Sequence, residues 1–323
     1  MAALSISIDD IPDLSGKTAI VTGGSSGIGL AAAEILLAHN AQVFVFDVQP
    51  PPENLEPKGG RTFIYVHTDL SSWSSLVEAF RTVTQEHNAS VDIAISSAGV
   101  SEDGSYLRNC LRPAPKNSAE WSALAADGPP RHRTIEVNLQ GTLDFVSLAA
   151  RVMKDQPDGG SIVIITSATG YLPEQGIPVY SATKGALINL IRALRTTLPR
   201  LNVAISGVAP SATKSAMLMQ ALAMLNPDDP ALKTEMPVSE PEHVGLAAVY
   251  AATARQDRRV EEYGRDTEAA DIGGGRWNGR IIHTMGDTFT EVEGPLIETR
   301  SQWWGEKNTE LSMMQQRVTD SRR

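Results

Sequence analysis

The fold is decided by the stretch Thr22-Gly23-Gly24-Ser25-Ser26-Gly27-Ile28-Gly29, which follows an apolar run and precedes a helical pattern. Glycines at such a junction allow a tight turn and a close approach of the backbone to a ligand. The N-terminus of the following helix offers N–H groups and a favourable dipole to an anion. A glycine-rich turn without any ligand would look the same in isolation, so the surrounding pattern has to decide between the two.

Seven short apolar runs rich in β-branched residues predict strands, and amphipathic stretches such as Gly27–His39 and Ser72–Glu86 predict helices between them. The predicted strands are Thr18–Thr22, Gln42–Asp47, Thr62–His67, Asp92–Ser96, Ser161–Thr166, Asn202–Val208 and Arg280–Thr284. Strands that alternate with helices predict an α/β fold, a doubly wound (Rossmann) parallel sheet of about seven strands. Nearly continuous apolar strands indicate a sheet that is buried on both faces.

The chain of 323 residues is long enough for one large α/β domain, which we expect to span residues 1–323. Three segments exceed what a minimal fold of this kind needs. They are the insertions at Ser101–Arg133 and Arg255–Gly275, and a C-terminal extension from about residue 287. Loops of this length are uncommon unless they serve a function or are disordered.

The net charge of -10, with no Lys/Arg-rich run, makes nucleic acid an unexpected partner. No apolar run is long enough to cross a bilayer, and the acidic N-terminus does not resemble a signal peptide, so no membrane association is expected. The single cysteine, Cys110, excludes an intramolecular disulfide and is typical of a reducing compartment, which predicts a cytoplasmic protein. No metal site is expected.

Acidic residues close the second and third predicted strands. Asp47 could accept hydrogen bonds from both ribose hydroxyls of NAD and would repel the 2′-phosphate of NADP. No basic residue stands in the glycine turn or directly after Asp47, so the sequence favours NAD; an ordinary role at the strand end is the alternative. Asp69, followed by Leu70, could receive the adenine amino group or cap a helix that begins near Ser72.

Tyr180 and Lys184 are four residues apart on a predicted helix and therefore share one of its faces. A free tyrosine has a pKa near 10, which a neighbouring cation would lower, so that Tyr180 could serve as a general acid or base. Ser167 follows a buried strand, and its hydroxyl could hold a substrate oxygen. A surface pair would be the better interpretation of a lone Y-x-x-x-K; the ordered set with the glycine turn and Asp47 favours an active site.

On these motifs the chain resembles the short-chain dehydrogenase/reductase family from about Leu14 to Gly286. Residues 22–29 resemble its T-G-x-x-x-G-x-G motif, and Ser96-Ser97-Ala98-Gly99 resembles its N-N-A-G motif. The resemblance makes Ser167, Tyr180 and Lys184 the catalytic residues. Asn138 matches the asparagine that holds a water in a proton relay to the lysine. More weakly, Trp277-Asn278-Gly279-Arg280-Ile281-Ile282 resembles the branch that includes 15-hydroxyprostaglandin dehydrogenase.

The resemblance also implies a set of residues that bind the cofactor. They are Gly23, Ser25, Ser26, Gly27, Ile28, Gly29, Asp47, Asp69, Leu70, Ser97, Ala98, Gly99, Tyr180, Lys184, Pro210, Thr213 and Ser215. The nicotinamide-contacting threonine of the family falls on Ser215, with Thr213 as the competing candidate. Two departures stand out: Ser96 and Ser97 replace both asparagines, which is expected to weaken hydrogen bonds between strands, and Ser211 replaces the glycine of a Pro-Gly pair.

The implied reaction is NAD(H)-dependent hydride transfer that interconverts a secondary alcohol and a ketone. The long insertions favour a hydrophobic or multi-ring small molecule of secondary metabolism as substrate. One alternative is isomerisation or cyclisation with the cofactor as a scaffold; another is a binding or regulatory module without catalysis. A change in NADH absorbance on turnover would separate hydride transfer from the non-redox alternative.

Two expectations concern the surface. In relatives, the helices that correspond to Gly141–Lys154 and Tyr180–Leu198 pair across a two-fold axis, which implies a homodimer or homotetramer. The tail from Phe289 to Trp304 is rich enough in apolar side chains to dock, and we expect the last strand to carry it to the carboxyl edge of the sheet, where it would wall the substrate pocket.

Overall fold

The computed structural model describes residues 3–52, 63–128, 130–223, 236–261, 263–264, 266 and 275–321. Its main sheet has nine strands in the order β1-β11-β10-β7-β6-β5-β2-β3-β4. These strands are β1 Ala3–Leu4, β2 Thr18–Thr22, β3 Gln42–Asp47, β4 Phe63–His67, β5 Ile93–Ser96, β6 Gly160–Ile165, β7 Val203–Pro210, β10 Ile281–Met285 and β11 Thr288–Glu291. A separate two-stranded sheet joins β8 Arg255–Gln256 to β9 Gly275–Arg276.

The helices of the described residues follow the strands along the chain. They are α1 Gly27–Ala38, α2 Trp73–Arg81, α3 Ser105–Cys110, α4 Ser118–Asp127, α5 Thr142–Met153, α6 Pro178–Leu194, α7 Ala216–Ala223, α8 Pro241–Thr253, α9 Glu293–Glu298, α10 Arg300–Trp304 and α11 Glu306–Thr319. Wider π-helical turns extend α2 through Thr82–Glu86 and precede α5 at Ile135–Gly141. Within the described residues, no helix combines the length and the apolar character that a membrane span requires.

All seven predicted strands form the parallel part of the sheet, and the doubly wound fold is confirmed. Alternation along β3 explains why its four central residues, 43–46, are all apolar. Val43 and Val45 belong to a core with α1 and α8, whereas Phe44 and Phe46 belong to the opposite core with α2, α5 and α6. A strand between two helical layers buries both faces, because successive side chains point to opposite sides.

The count of about seven strands is two short, because β1 and β11 were not predicted. They add an antiparallel edge next to β10, with Ala3 opposite Thr290 and Met285 opposite Thr288. The predicted insertion at Ser101–Arg133 contains α3 and α4. The predicted insertion at Arg255–Gly275 lies partly outside the described residues.

The path of the tail differs from the expectation. After β10 the chain turns at Gly286, where φ is +57°, and β11 runs back antiparallel to β10. The N–H of Val292 donates to the carbonyl of Ile281, so the tail reaches the amino edge of the parallel strands, not the carboxyl edge. Docking holds for Phe289, which is buried and stacks on His243, whereas Trp303 and Trp304 remain 59% and 51% exposed.

Candidate active site

The glycine turn lies at the carboxyl edge of the sheet, between β2 and α1. Two of its glycines leave no room for a side chain. A Cβ at Gly23, where φ is +65°, would lie 2.7 Å from the Cα of Ala98. A Cβ at Gly29 would lie 2.3 Å from the carbonyl oxygen of Gly23. Gly27 has a φ of +52° and open space where its Cβ would stand. The turn therefore packs tightly on the protein side and leaves room in front of the first residue of α1, as the approach of a ligand requires.

Asp47, at the end of β3, lies beside the glycine turn and stabilises it through hydrogen bonds. One carboxylate oxygen accepts the N–H of Ser25 at 3.1 Å, and the other accepts the N–H of Gln49 at 3.0 Å. The Ser25 hydroxyl donates to the carbonyl of Gln49 at 2.7 Å. These bonds fix the position of a negative charge beside the turn, and each carboxylate oxygen keeps acceptor capacity for a further donor.

Asp69 does not cap the helix near Ser72. Its carboxylate accepts both the N–H and the hydroxyl of Ser71, which lowers its pKa, and α2 is capped by Ser72, whose hydroxyl accepts the N–H of Ser75. Arg133 and His67 lower the pKa of Asp69 further by their charge, and burial acts against them. Leu70 is buried.

Thr22 joins the two central strands at this edge, a role that the sequence analysis missed. Its hydroxyl accepts the N–H groups of Ser97 and Ala98, at 3.0 and 3.1 Å. The Ser96 hydroxyl pairs instead with that of Thr142 at 3.3 Å. The segment that carries serines in place of asparagines is therefore tied to β2 by a threonine of the glycine turn.

Asn138 lies in the π-helical turn before α5 and is fully buried. Its side-chain oxygen accepts the N–H of Val100 at 2.8 Å, and its side-chain nitrogen donates to the carbonyl of Val100 at 2.9 Å. A Cβ at Gly99 would lie 3.4 Å from that oxygen and 3.9 Å from Lys184 Nζ. The asparagine, the chain after β5 and the lysine therefore meet at one point.

Tyr180 and Lys184 occupy the first turns of α6, and Ser167 follows β6. Lys184 is buried, and its Nζ donates to the carbonyl of Ile165 at 2.9 Å and lies 5.5 Å from the centre of the Tyr180 ring. Ser167 is buried as well, and its hydroxyl accepts the N–H and the hydroxyl of Thr169 at 3.2 and 3.1 Å. The predicted triplet is thus brought together.

The electrostatics differ from the expectation for Tyr180. Burial raises its pKa above the ordinary value, and a hydrogen bond with Ser167 opposes that rise only in part. Burial also lowers the pKa of Lys184 to about 8. The predicted lowering of the Tyr180 pKa is therefore not found in this structure, because removal from water outweighs the favourable neighbours.

The chain after β7 carries the remaining candidates. Thr213 is buried, and its hydroxyl donates to the carbonyl of Ser211 at 3.1 Å. Ser215 is half-buried, and its hydroxyl accepts the N–H of Leu218 in α7 at 3.3 Å. The Ser211 hydroxyl forms a hydrogen bond of 3.0 Å with His283 Nε2 on the neighbouring β10. Pro210, at the end of β7, is buried.

A buried carboxylate next to Tyr180 was not predicted. Glu102 stands three residues after Gly99, and its Oε2 accepts the N–H of Val179 at 2.7 Å and that of Tyr180 at 2.9 Å. Within the described part of the chain, no group of three or more His, Cys, Asp and Glu residues is arranged to hold a metal ion.

The comparisons with known proteins agree with this arrangement. The short chain dehydrogenase family matches residues 17–226. The short-chain dehydrogenase/reductase prx4 of Penicillium roqueforti is 41% identical over 322 residues, which cover 100% of this chain and 90% of that protein. The 5'-hydroxyaverantin dehydrogenase stcG of Emericella nidulans is 29% identical over 215 residues, 62% of this chain and 68% of that protein.

Among solved structures, a short-chain type dehydrogenase/reductase from Mycobacterium marinum superimposes with a TM-score of 0.59 at 25% identity, over 76% of this chain and 92% of that chain. The family match spans more than half of the sequence, and prx4 matches it from end to end. Motifs, topology and relatives lead to one assignment: the chain belongs to the short-chain dehydrogenase/reductase family, whose members use nicotinamide cofactors, and it is an oxidoreductase.

Proposed function

We propose that this protein is an NAD(H)-dependent dehydrogenase/reductase that interconverts a secondary alcohol and a ketone. The observation that carries the proposal is the meeting of Ser167, Tyr180 and Lys184 at the sheet edge that also holds the glycine turn and Asp47. Brought together at the carboxyl ends of parallel strands, a phenol, an ammonium and a hydroxyl form a set suited to proton transfer at a carbon–oxygen bond.

The turn and its neighbours fit a dinucleotide. The open space in front of Gly27 would take the pyrophosphate, and the Asp47 carboxylate would accept the ribose hydroxyls while repelling a 2′-phosphate. We propose that the rest of the dinucleotide is held by the remaining members of the set, namely Gly23, Ser25, Ser26, Ile28, Gly29, Asp69, Leu70, Ser97, Ala98, Gly99, Pro210, Thr213 and Ser215. When bound, the nicotinamide supplies the hydride acceptor or donor.

Four side chains would then act on the substrate oxygen and its proton. Tyr180 takes the proton of the alcohol in oxidation and returns it in reduction, while the Ser167 hydroxyl holds the oxygen. Lys184 Nζ lies 5.5 Å from the centre of the phenol ring, so its positive charge would favour the ionised form of Tyr180 against the effect of burial. Asn138 keeps one lone pair of its side-chain oxygen beyond the bond from Val100, and this lone pair would hold the water of a proton relay.

A hydrophobic substrate is supported by apolar side chains that stand exposed in two segments. Leu172 is 79% exposed and lies in the loop that follows Ser167. Trp121 and Leu124 on α4 are 56% and 49% exposed. Contiguous apolar side chains in water often mark a binding surface, and Trp121 and Leu124 are neighbours on one face of α4. The name of the relative stcG, a dehydrogenase of 5'-hydroxyaverantin, supports oxidation of a hydroxylated metabolite. We also propose a cytoplasmic location, which the exposed thiol of Cys110 favours.

The test is a panel of steroid, polyketide and hydroxy fatty acid alcohols with NAD, followed by NADH absorbance. For any alcohol that turns over, Tyr180→Phe should lower kcat by at least about a hundredfold while NADH affinity stays near that of the wild type, because only the proton-transfer group is lost. Lys184→Ala should damage both kcat and NADH affinity. Tyr250→Phe, near the C-terminal end of α8, is the control. A near-normal rate for Tyr180→Phe would refute the mechanism, and product formation without an absorbance change would favour the non-redox alternative.

A further inference from the structure

Two backbone N–H groups in the first turn of α6 are hydrogen-bonded by a residue that lies outside the helix. The residue before it, Ile177, has no polar side chain, and Pro178 opens the helix without an N–H. The next two N–H groups, of Val179 and Tyr180, would normally be satisfied by a Ser, Thr, Asp or Asn at the cap position. Here both N–H groups donate to Oε2 of Glu102, which is 77 and 78 residues away in sequence.

The carboxylate that provides this bond is itself fixed in place. Glu102 is only 9% exposed. Two residues earlier, Val100 is bound through both its N–H and its carbonyl by the side chain of Asn138. Asn138 therefore binds one end of the short segment 100–102, and Glu102, at its other end, binds the backbone of Tyr180, so this segment links two helical elements that carry proposed catalytic residues.

The second carboxylate oxygen of Glu102 argues against a role in stability alone. Its Oε1 is buried and has no hydrogen-bond partner among the residues that the structure describes. An unpaired buried polar atom destabilises the folded state, so an apolar residue at this position, together with an ordinary cap on α6, would be the more stable solution. A carboxylate at this point is better explained by what it fixes.

We propose that Glu102 is a positioning residue for Tyr180, one that sets the first turn of α6 so that the phenol meets the substrate oxygen next to Ser167. The inference rests on the function proposed above, since it gives Tyr180 its task. Glu102 acts through geometry, because its bonds are to the backbone. An amide oxygen at the same place would serve as well, whereas a shorter side chain would not reach.

Two variants separate geometry from charge. Glu102→Gln keeps an oxygen acceptor at full length and loses the charge, whereas Glu102→Asp keeps the charge and withdraws the oxygen by roughly one methylene. Asp103→Ala, at the neighbouring exposed carboxylate, is the matched control. Glu102→Ala removes both the acceptor and the charge.

The first readout needs no substrate. With carbon-13 at the Cζ atoms of the six tyrosines, the Tyr180 signal is the one absent from Tyr180→Phe. Burial raises the pKa of Tyr180, so a loosened first turn should move its titration towards the ordinary tyrosine value. We expect this change in Glu102→Asp and Glu102→Ala, but not in Glu102→Gln or Asp103→Ala. An unchanged Tyr180 signal in a folded Glu102→Asp protein, or a shift in Glu102→Gln equal to that in Glu102→Asp, would overturn the proposal.

The second readout uses whichever alcohol in the panel is oxidised. Glu102→Asp should lower kcat by about ten- to a hundredfold with NADH affinity preserved, because a misplacement of the order of 1 Å can cost that much. In the Tyr180→Phe background, the same change should cause no further loss. An equal loss in both backgrounds would show that Glu102 does not act through Tyr180. If no alcohol is oxidised, the proposed function fails, while the tyrosine titration still decides the role of Glu102.

Discussion

At the scale of single residues, Asp47 combines two tasks that mutation can separate. Its carboxylate supports the backbone of Ser25 in the glycine turn and would also meet the ribose of the cofactor. Charge is needed only to repel a 2′-phosphate, whereas an oxygen acceptor is needed for both the turn and the ribose.

We therefore predict that the wild type binds NADH more tightly than NADPH, and that Asp47→Asn narrows this preference by about tenfold because the repulsion is lost. Asp47→Ala should weaken both cofactors, since the turn loses its support. Asp69→Asn, at the corresponding end of β4, should leave the ratio of affinities unchanged. Fluorescence titration of both cofactors measures this, and equal wild-type affinities would contradict the prediction.

Residues of the site could be predicted from the sequence where they belong to a short motif. The glycine turn and the Tyr180–Lys184 spacing are short motifs, and the structure brings both to one sheet edge. Glu102 has no such signal, because its partners lie 77 and 78 residues further along the chain and are backbone groups. The raised pKa of Tyr180 was missed for a related reason: sequence shows the neighbouring cation, whereas burial depends on the packed structure.

At the scale of elements, the parallel strands were predictable because each is an apolar run flanked by turn residues. The two missed strands lack such runs: β1 has only two residues, and three of the four residues of β11 are polar. Both exist only through pairing, β11 with β10 and β1 with β11. The same edge explains the path of the tail, since a hairpin at Gly286 reverses the chain, and a hairpin is not visible in the apolar pattern.

The hairpin delivers Glu293 to the C-terminal end of α6, where it forms the Glu293 cluster with Tyr171, Arg192 and Arg195. Glu293 is 1% exposed and accepts the Tyr171 hydroxyl at 2.7 Å, two N–H groups of Arg192 at 2.8 Å and one of Arg195 at 2.8 Å. Burial raises the pKa of Glu293, but the hydrogen bonds from Arg192 and the other partners outweigh this, and the pKa is lowered overall.

We predict that Glu293→Gln lowers the free energy of unfolding by about 3 kcal/mol, because it leaves two arginines without their shared anion. A lowered carboxyl pKa contributes stability that is fully present above the ordinary value near pH 4.5 and is lost as the pH falls through the folded value. The wild type should therefore lose this part of its stability below about pH 4.5, and Glu293→Gln should not. Urea unfolding across this range is the measurement, with the exposed Glu298→Gln as control; a variant as stable as the control would contradict the prediction.

At the scale of the whole molecule, we propose a homodimer or homotetramer that pairs through α5 and α6. The outward side of α6 exposes Ala182, Asn189 and Ala193, and that of α5 exposes Ser147 and Arg151. Small residues let two helices approach closely, and a two-fold axis would place each helix against its copy.

Light scattering at micromolar concentration should therefore give a mass of two or four chains. Ala193→Arg should shift the protein towards monomer, because a long charged side chain would stand in the interface. Val318→Arg, on the 78% exposed residue of α11, should leave the mass unchanged. A wild-type monomer at this concentration would refute the proposed assembly.

A last question about the whole molecule is whether the residues after β10 form part of the substrate pocket or stabilise the fold. Because β11 returns to the amino edge of the sheet, α9 begins at the opposite ends of the strands from the proposed catalytic residues, which lie at the carboxyl edge. Removing everything after Gly286 would delete the buried Phe289 and Glu293 together, and the buried Arg195 would lose one of its two carboxylate partners. We predict that this shorter chain is insoluble or unfolds several kcal/mol more easily.

Ending the chain after Gly305 removes α11, which exposes most of its side chains and contacts α10 through Trp304 and Ser312. It also removes the buried Asp320, whose side chain lies against Gly264. With whichever substrate the alcohol panel identifies, we predict an unchanged Michaelis constant and an unchanged NADH affinity for this variant, and a smaller loss of thermal stability than after the cut at Gly286. The two truncations together distinguish these roles. Loss of a segment that stabilises the fold lowers stability, whereas loss of a segment that lines the pocket weakens substrate binding. A several-fold rise in the Michaelis constant of the chain that ends at Gly305, with an unchanged light-scattering mass, would show that α11 contributes to a substrate pocket. Because the tail starts at the amino edge, that pocket would have to belong to the neighbouring subunit.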